Sequence, residues 1–228
     1  MNEAISKERL SSKNLYLNKF INKKQTKKKE IKPDDNSLID LRNSLKIIDY
    51  TDIIFDLGDK WGPNEQFYNI GFKDKSIDVL LTYAKNYAVS HKIVGEKINQ
   101  NKFDISVSVN KSEFNRVHFH KALPKLLRGI GFGYKIYKSL GMELGYISSD
   151  NTASMSAQSV WYHLVQDSDF NHIISKNFVL IINKNIPIDL KINIVKSYMT
   201  EYSWLFEDES EFDIDDELIQ ELEEYGNT

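Results

Sequence analysis

The chain has 228 residues, with 33 acidic and 30 basic side chains, a formal net charge of −3 and no cysteine. The lack of cysteine excludes disulfides, thiolate nucleophiles and zinc–cysteine sites, and is compatible with a reducing cytoplasm. Apolar residues make up 41% of the chain, which is enough for a folded core. The sequence contains no run of eighteen apolar residues, so it predicts no membrane span. We therefore expect a cytoplasmic protein without a membrane segment.

The charge is unevenly distributed. Residues 201–228 hold twelve acids and no Lys or Arg, whereas the first 200 residues hold 21 acids and 30 bases. A dense basic tract lies near the start and consists of Lys19, Lys23, Lys24, Lys27, Lys28, Lys29 and Lys32. It predicts a basic N-terminal arm over residues 1–36. Two alternatives remain for the arm, a weak nucleic-acid contact through phosphate charge or a solvated tail that meets the acidic C-terminus.

The stretch from 37 to about 100 carries the first structural patterns. Apolar residues at helical spacing predict helices from Leu38 to Ile48 and from Ile77 to Ala88. A short apolar run covers 53–57, and the sequence at 61–64 marks a turn. The aromatic residues Phe67 and Tyr68 are either core residues or part of an acceptor pocket.

A clearer order of elements begins near residue 103. Apolar and polar residues alternate over 105–109 and 117–119, which predicts two strands paired around the turn at 110–115. A helix is expected from Tyr134 to Leu144, then Gly145 ends it and the strand Tyr146 to Ser148 follows. Another helix carries Ala157, Val160, Trp161 and Leu164, and a buried strand is predicted over Phe178 to Ile182.

The sequence RGIGFG at 128–133 lies between the hairpin and the next helix. Glycines at such a position let backbone N–H groups approach an anion, and the helix start adds a partial positive charge. The spacing matches neither the dinucleotide fingerprint, which would need a glycine at Tyr134, nor a nucleoside-triphosphate loop. A close-packed strand–helix turn without a ligand is the alternative.

Arg128, Gly131 and Gly133 instead fit the pattern R/Q-x-x-G-x-G/A, and here the chain resembles the GNAT superfamily of acyl-CoA-dependent N-acyltransferases over about residues 103–183. The resemblance implies an α/β fold over 37–185, with a central mixed, mostly antiparallel twisted sheet flanked by helices. It also implies acetyl-CoA, or another acyl-CoA, as co-substrate and direct attack by an amine in a ternary complex. The residues it assigns to the co-substrate are Phe119, Arg128, Gly129, Ile130, Gly131, Phe132, Gly133 and Tyr134.

The catalytic groups are less regular. For the general base, imidazole has a suitable pKa, and we assign His120 because it lies nearer the glycines than His118. The alternative is that both histidines lie on a solvated face. Counting from Ala157, Trp161 occupies the place where the family often has a tyrosine acid, so the acid is assigned to Tyr162, one residue later. The histidine pair lacks a third ligand in sequence reach, so no metal is predicted.

The residues 186–228 are expected to form a helical C-terminal extension with an acidic tail. Its apolar stripe suits either the groove of a basic protein partner or packing back on the domain. The amine acceptor, a small molecule or a protein, is left open. Alternative functions are a GNAT-like interaction module without turnover, virion-associated in a phage, and a nucleic-acid-associated regulator. The richness in Lys, Asn and Ile suits an AT-rich genome, as of a low-GC bacterium or a large phage.

Overall fold

The computed structural model describes residues 36–46, 48–60, 62–90, 105–119, 123, 125–149, 155–175, 178–201 and 213–226. The described residues divide into two compact units, one within 36–143 and the other within 144–226. Helices and antiparallel strand pairs occur in both, which confirms the mixed α/β class. Across the described ranges, every helix is too short or too polar to span a bilayer.

Among its described residues, the first unit contains three α-helices and four antiparallel strands in the order β1-β2-β3-β4. In chain order its elements are α1 (Asn36–Lys46), β1 (Ile53–Lys60), β2 (Glu65–Phe72), α2 (Lys75–Ser90), β3 (Ser106–Asn110), β4 (Arg116–Phe119) and α3 (Phe132–Leu144). The β3–β4 hairpin, with Val109 opposite Val117, lies where the alternation predicted it. Helix α3 begins two residues earlier than predicted.

The two faces of this sheet differ in burial. On one face Val107, Val109 and Val117 are almost completely buried. The ring of Phe119 on the same face lies 5.1 Å from the ring of Tyr137, so helix α3 packs there. On the opposite face His118 is exposed. Ser108, opposite His118 on the same face, is 1% exposed and its hydroxyl donates to the carboxylate of Glu65 at 2.8 Å. The second face is therefore polar and only partly solvated, which explains the alternation of the hairpin.

The second unit contains the remaining helices and strands of the described chain, with the strands in the order β5-β7-β6-β8. Its elements are β5 (Tyr146–Ser148), α4 (Met155–Val165), β6 (Phe170–Ile174), β7 (Val179–Asn183), α5 (Ile188–Glu201), β8 (Asp213–Ile214) and α6 (Asp216–Gly226). The central strand β7 is nearly all apolar, and Leu180, Ile181 and Ile182 are completely buried. That burial explains its continuous hydrophobic run.

The acidic helix α6 packs within its own unit. Leu218 is completely buried. The ammonium of Lys191, itself only 3% exposed, lies 2.6 Å from the carboxylate of Glu221. Lys184 and Glu217 form a second ion pair. For residues 213–226, the structure therefore shows the tail folded back rather than extended. Residues 202–212 and the basic arm of 1–35 lie outside the described residues.

Strand β8 and helix α6 are joined to β6 through Asp215. Its backbone N–H donates to the carbonyl of His172 at 3.0 Å, and its carboxylate accepts the N–H of Glu217 at 2.9 Å. The imidazole Nδ1 of the buried His172 lies 3.2 Å from the same carboxylate. Burial opposes ionisation of Asp215, but the contacts with His172 and Glu217 and the charge of Lys184 outweigh it and lower its pKa.

Candidate anion-binding turn

Residues 128–131 form a turn that leads into helix α3. Gly129 has φ +71° and Gly131 has φ +82°, both in the left-handed region that only glycine adopts without strain. Each is exposed, and a β-carbon built on Gly131 would meet no atom of the described residues within 4 Å. The glycines are therefore required by the backbone conformation. Space is also open at Gly131 for a group to approach the main chain.

Helix α3 supplies the expected positive end. The N–H of Lys135 donates to the carbonyl of Gly131 at 3.1 Å, which closes the first helical turn on the second glycine of the turn. The N–H groups of the first turn of any α-helix have no intrahelical acceptor and point out of its N-terminus. Together with the helix dipole they favour an anion at that end. The predicted glycine-rich helix start is thus present.

The apolar residues of the motif are part of the core. Ile130 is 7% exposed and Phe132 only 1% exposed. The Phe132 ring lies 6.2 Å from that of Phe72. Phe132, Gly133 and Tyr134 belong to the first turn of α3 rather than to the loop before it. Because the side chains of Ile130 and Phe132 are buried, only their backbone atoms can make the predicted contacts with a co-substrate.

Two arginines hold the turn. The exposed Arg128 donates from Nε to the carbonyl of Leu123. Arg42, on helix α1, donates from Nη1 to the carbonyl of Leu126 at 3.0 Å and from Nη2 to the carbonyl of Arg128 at 2.9 Å. The guanidinium of Arg42 lies beside Gly129, since a β-carbon built on Gly129 would be 3.8 Å from Nη2 of Arg42. Arg42 therefore combines a structural role with a positive charge beside the glycines.

A lysine continues this cationic surface into helix α3. The ammonium of Lys135 donates to the carbonyls of Lys46 and Ile48. Burial lowers the pKa of Lys135, while the charges of Asp49 and Asp52 oppose that change. The N–H of Thr51 lowers the pKa of Asp49, and the charge of Lys135 acts in the same direction. Lys135 is thus engaged with α1 and the acidic residues that follow it.

The connection from β4 to the turn is long. Strand β4 ends at Phe119 and α3 begins at Phe132, with a 3₁₀ turn at Lys125–Leu127 between them. Leu126 is 2% exposed and Leu127 is completely buried, so these two side chains anchor the connection in the core. The half-buried Phe119, assigned to the co-substrate, packs edge-on against Tyr137.

The assigned catalytic residues do not all belong to the described part of the first unit. His120 lies outside the described residues, whereas His118 is exposed on the open face of the sheet. Tyr162, a half-buried residue of the second unit, accepts a hydrogen bond at its hydroxyl from Gln166 at 3.1 Å. Trp161, at the place of the family's tyrosine, lies on helix α4, is only 3% exposed and belongs to the hydrophobic core. The roles of His120 and Tyr162 stay predictions.

Comparison with protein-family models, curated proteins and solved structures finds no match for this chain. The GNAT resemblance therefore depends on the residues of the turn and the order of elements around it. No group of three or more His, Asp or Glu able to hold a metal ion occurs within the part of the chain that the structure describes.

Sequence patterns did not identify Arg42 and Lys135. Each makes its contacts with residues more than 80 positions away, so no local spacing connects it with the glycines. One partial signal exists for Arg42. Leu41 and Leu45 are buried on the core side of α1, which places the helix against the unit but does not indicate what its polar residues contact.

Proposed function

We propose that the protein is an acyl-CoA-dependent N-acyltransferase of GNAT type. The observation that carries the proposal is the turn at 128–131, with two left-handed glycines at the N-terminus of α3. The cationic side chain of Arg42 beside it adds electrostatic support for a pyrophosphate. The order of hairpin, turn, helix, strand and helix from β3 to α4 agrees with the order expected for the family.

In the proposed reaction, the nitrogen lone pair of a neutral amine attacks the thioester carbonyl. An N–C bond forms, the C–S bond breaks, and the products are an amide and CoA thiol. The ammonium form of the amine must first lose a proton to a base, for which His120 is the candidate, and the nitrogen loses a second proton to solvent as the amide forms. The departing thiolate must gain a proton, for which Tyr162 is the candidate. Positioning of the two substrates supplies most of the rate acceleration.

A transfer assay tests this proposal. The purified protein is incubated with acetyl-CoA and panels of small amines and lysine peptides, and release of CoA thiol is followed with a thiol reagent. The expected result is amine-dependent thiol release that decreases in Tyr162→Phe. The panel also covers polyamines, aminoglycosides and peptide α-amines. Acetyl-CoA binding without thiol release for any of these amines would contradict turnover and would show a protein that only binds the ligand.

The second candidate is a GNAT-like interaction module without turnover. The buried Trp161 favours it, because indole cannot donate the proton that a tyrosine hydroxyl supplies and the residue is committed to the core. Binding of acyl-CoA with no acceptor activity would be the expected behaviour of such a protein. The transfer assay above separates the two candidates.

A further inference from the structure

Helix α1 is linked to both sides of the glycine turn by charged side chains. On the N-terminal side, Arg42 bonds to the carbonyls of Leu126 and Arg128, which lie 84 and 86 residues further along the chain. On the C-terminal side, Lys135 of α3 bonds to the carbonyls of Lys46 and Ile48, where α1 ends. All of these residues belong to the same compact unit.

We infer that Arg42 and Lys135 are positioning residues that hold the glycine turn in its anion-binding conformation. Arg42 fixes the peptide planes before the second glycine, and Lys135 fixes the helix after it against the same helix α1. The identity of the ligand, the pyrophosphate of an acyl-CoA, rests on the proposed function. The restraint that Arg42 and Lys135 place on the turn is independent of that function.

The direction of the bonds made by Arg42 explains how it would orient the turn. The carbonyl of Arg128 and the N–H of Gly129 belong to one peptide unit, and in a planar trans peptide these groups point in opposite directions. Because Arg42 holds that carbonyl at 2.9 Å, the Gly129 N–H must point to the side away from the guanidinium. The same reasoning applies to the carbonyl of Leu126 and the N–H of Leu127.

The glycines make such a restraint necessary. A glycine samples a wider range of backbone conformations than any other residue, so a turn with φ +71° at Gly129 and φ +82° at Gly131 loses conformational entropy when an anion orders it. If the protein already holds the turn in place, binding no longer has to supply that ordering. The affinity for an anion then depends on residues that do not touch it.

Arginine is specifically suited to this position. Its planar guanidinium presents several N–H donors in a fixed geometry and bonds to two carbonyls at once, whereas the ammonium of lysine is a single point charge. Arg42→Lys keeps the charge and loses the two-pronged bond, and Arg42→Gln loses the charge as well. Lys46→Gln removes a positive charge from the same helix, at an exposed side chain whose partner among the described residues is the exposed Asn43. It is therefore the matched control.

The first arm of the experiment uses the ligand-free protein. Backbone ¹⁵N relaxation reports the order parameters of the Gly129 and Gly131 amides. In the wild type and Lys46→Gln we expect values near those of a rigid backbone, about 0.85, and in Arg42→Gln values below about 0.6. Arg42→Lys should also mobilise both amides, and it keeps the test decisive if Arg42→Gln does not fold. Unchanged order parameters in a folded Arg42 variant would overturn the inference.

The second arm measures dissociation constants for CoA and for pantetheine, which lacks the pyrophosphate. We expect both Arg42 variants to weaken CoA binding at least about tenfold, as loss of hydrogen bonds to a charged group implies, with pantetheine affected less than twofold. Equal weakening by Lys46→Gln would show that only the charge of α1 matters and would overturn the inference. If wild type binds no CoA while the Arg42 variants mobilise the turn, the proposed function fails and the positioning role stands.

Discussion

Replacing Gly131 by alanine should destabilise the protein by about 1–2 kcal/mol, the cost of placing an L-residue in the left-handed region. The structure separates this cost from crowding, because Gly131 has φ +82° and a β-carbon there would meet no atom within 4 Å in the part of the chain that the structure describes. For a chain of this length, the loss corresponds to a decrease in Tm of about 2–8 °C. Thermal unfolding followed by circular dichroism measures it.

The origin of the loss is tested by a series at the same position. Asparagine tolerates the left-handed region better than alanine, so Gly131→Asn should lose less stability than Gly131→Ala, and the β-branched Gly131→Val should lose more. Gly62→Ala is the control, since that glycine also has open space but lacks a positive φ. Its Tm should remain unchanged or increase slightly. An alanine variant as stable as wild type, or an asparagine variant less stable than alanine, would refute the left-handed turn.

Two further predictions concern the second unit. Trp161→Ala should lose about 3–5 kcal/mol of unfolding free energy, because the side chain is 3% exposed. Tyr162→Ala, at the half-buried neighbouring residue, should lose less. Urea unfolding of the two variants measures both losses, and equal losses would contradict the placement of Trp161 in the core. The lowered pKa of Asp215 means that its carboxylate stabilises the folded state fully above its ordinary pKa of about 3.9, and that this contribution disappears as pH falls through the lower folded value. Between about pH 5 and about pH 2, Asp215→Asn should therefore lose less unfolding free energy than wild type. Urea unfolding at several pH values measures this, and identical pH profiles would refute the stabilising role of the Asp215 carboxylate.

Periodicity predicted the elements whose burial follows a regular pattern. The hairpin β3–β4 alternates apolar and polar residues every second position, with valines on one face, and α3 repeats its apolar residues at helical spacing. The strand Tyr146–Ser148 lies where Gly145, at φ +83°, ends the preceding helix. In each case a local pattern and a local backbone requirement agree.

Other elements had no such signal. Strand β6 was not predicted because it buries Asn171 and His172 beside its apolar residues, so it has neither alternation nor a continuous apolar run. Strand β1 extends three residues beyond the predicted apolar run at 53–57 and ends at Lys60. Strand β2, which carries the exposed Asn69, was not predicted. Their pairing with neighbouring strands depends on hydrogen bonds between distant backbone segments, which side-chain patterns do not record.

For the candidate site, the sequence predicted the glycines and the helix that follows them. It also predicted a long connection between the strand that ends at Phe119 and the helix, but not the burial of Leu126 and Leu127 within that connection. The guanidinium of Arg42 was also missed, because its two carbonyl partners are brought to α1 only by tertiary folding. Contacts between distant residues are the part that one sequence does not contain.

The most direct test of the central claim is calorimetric titration of acetyl-CoA and CoA into wild type, Gly131→Glu and Gly131→Gln. The two variants share the same backbone strain and differ by one charge at an exposed position with open space around it. The account predicts binding by wild type, weaker binding by Gly131→Gln and no measurable binding by Gly131→Glu, whose carboxylate repels a pyrophosphate. No binding of either ligand by folded wild type, or equal binding by the two variants, would contradict it.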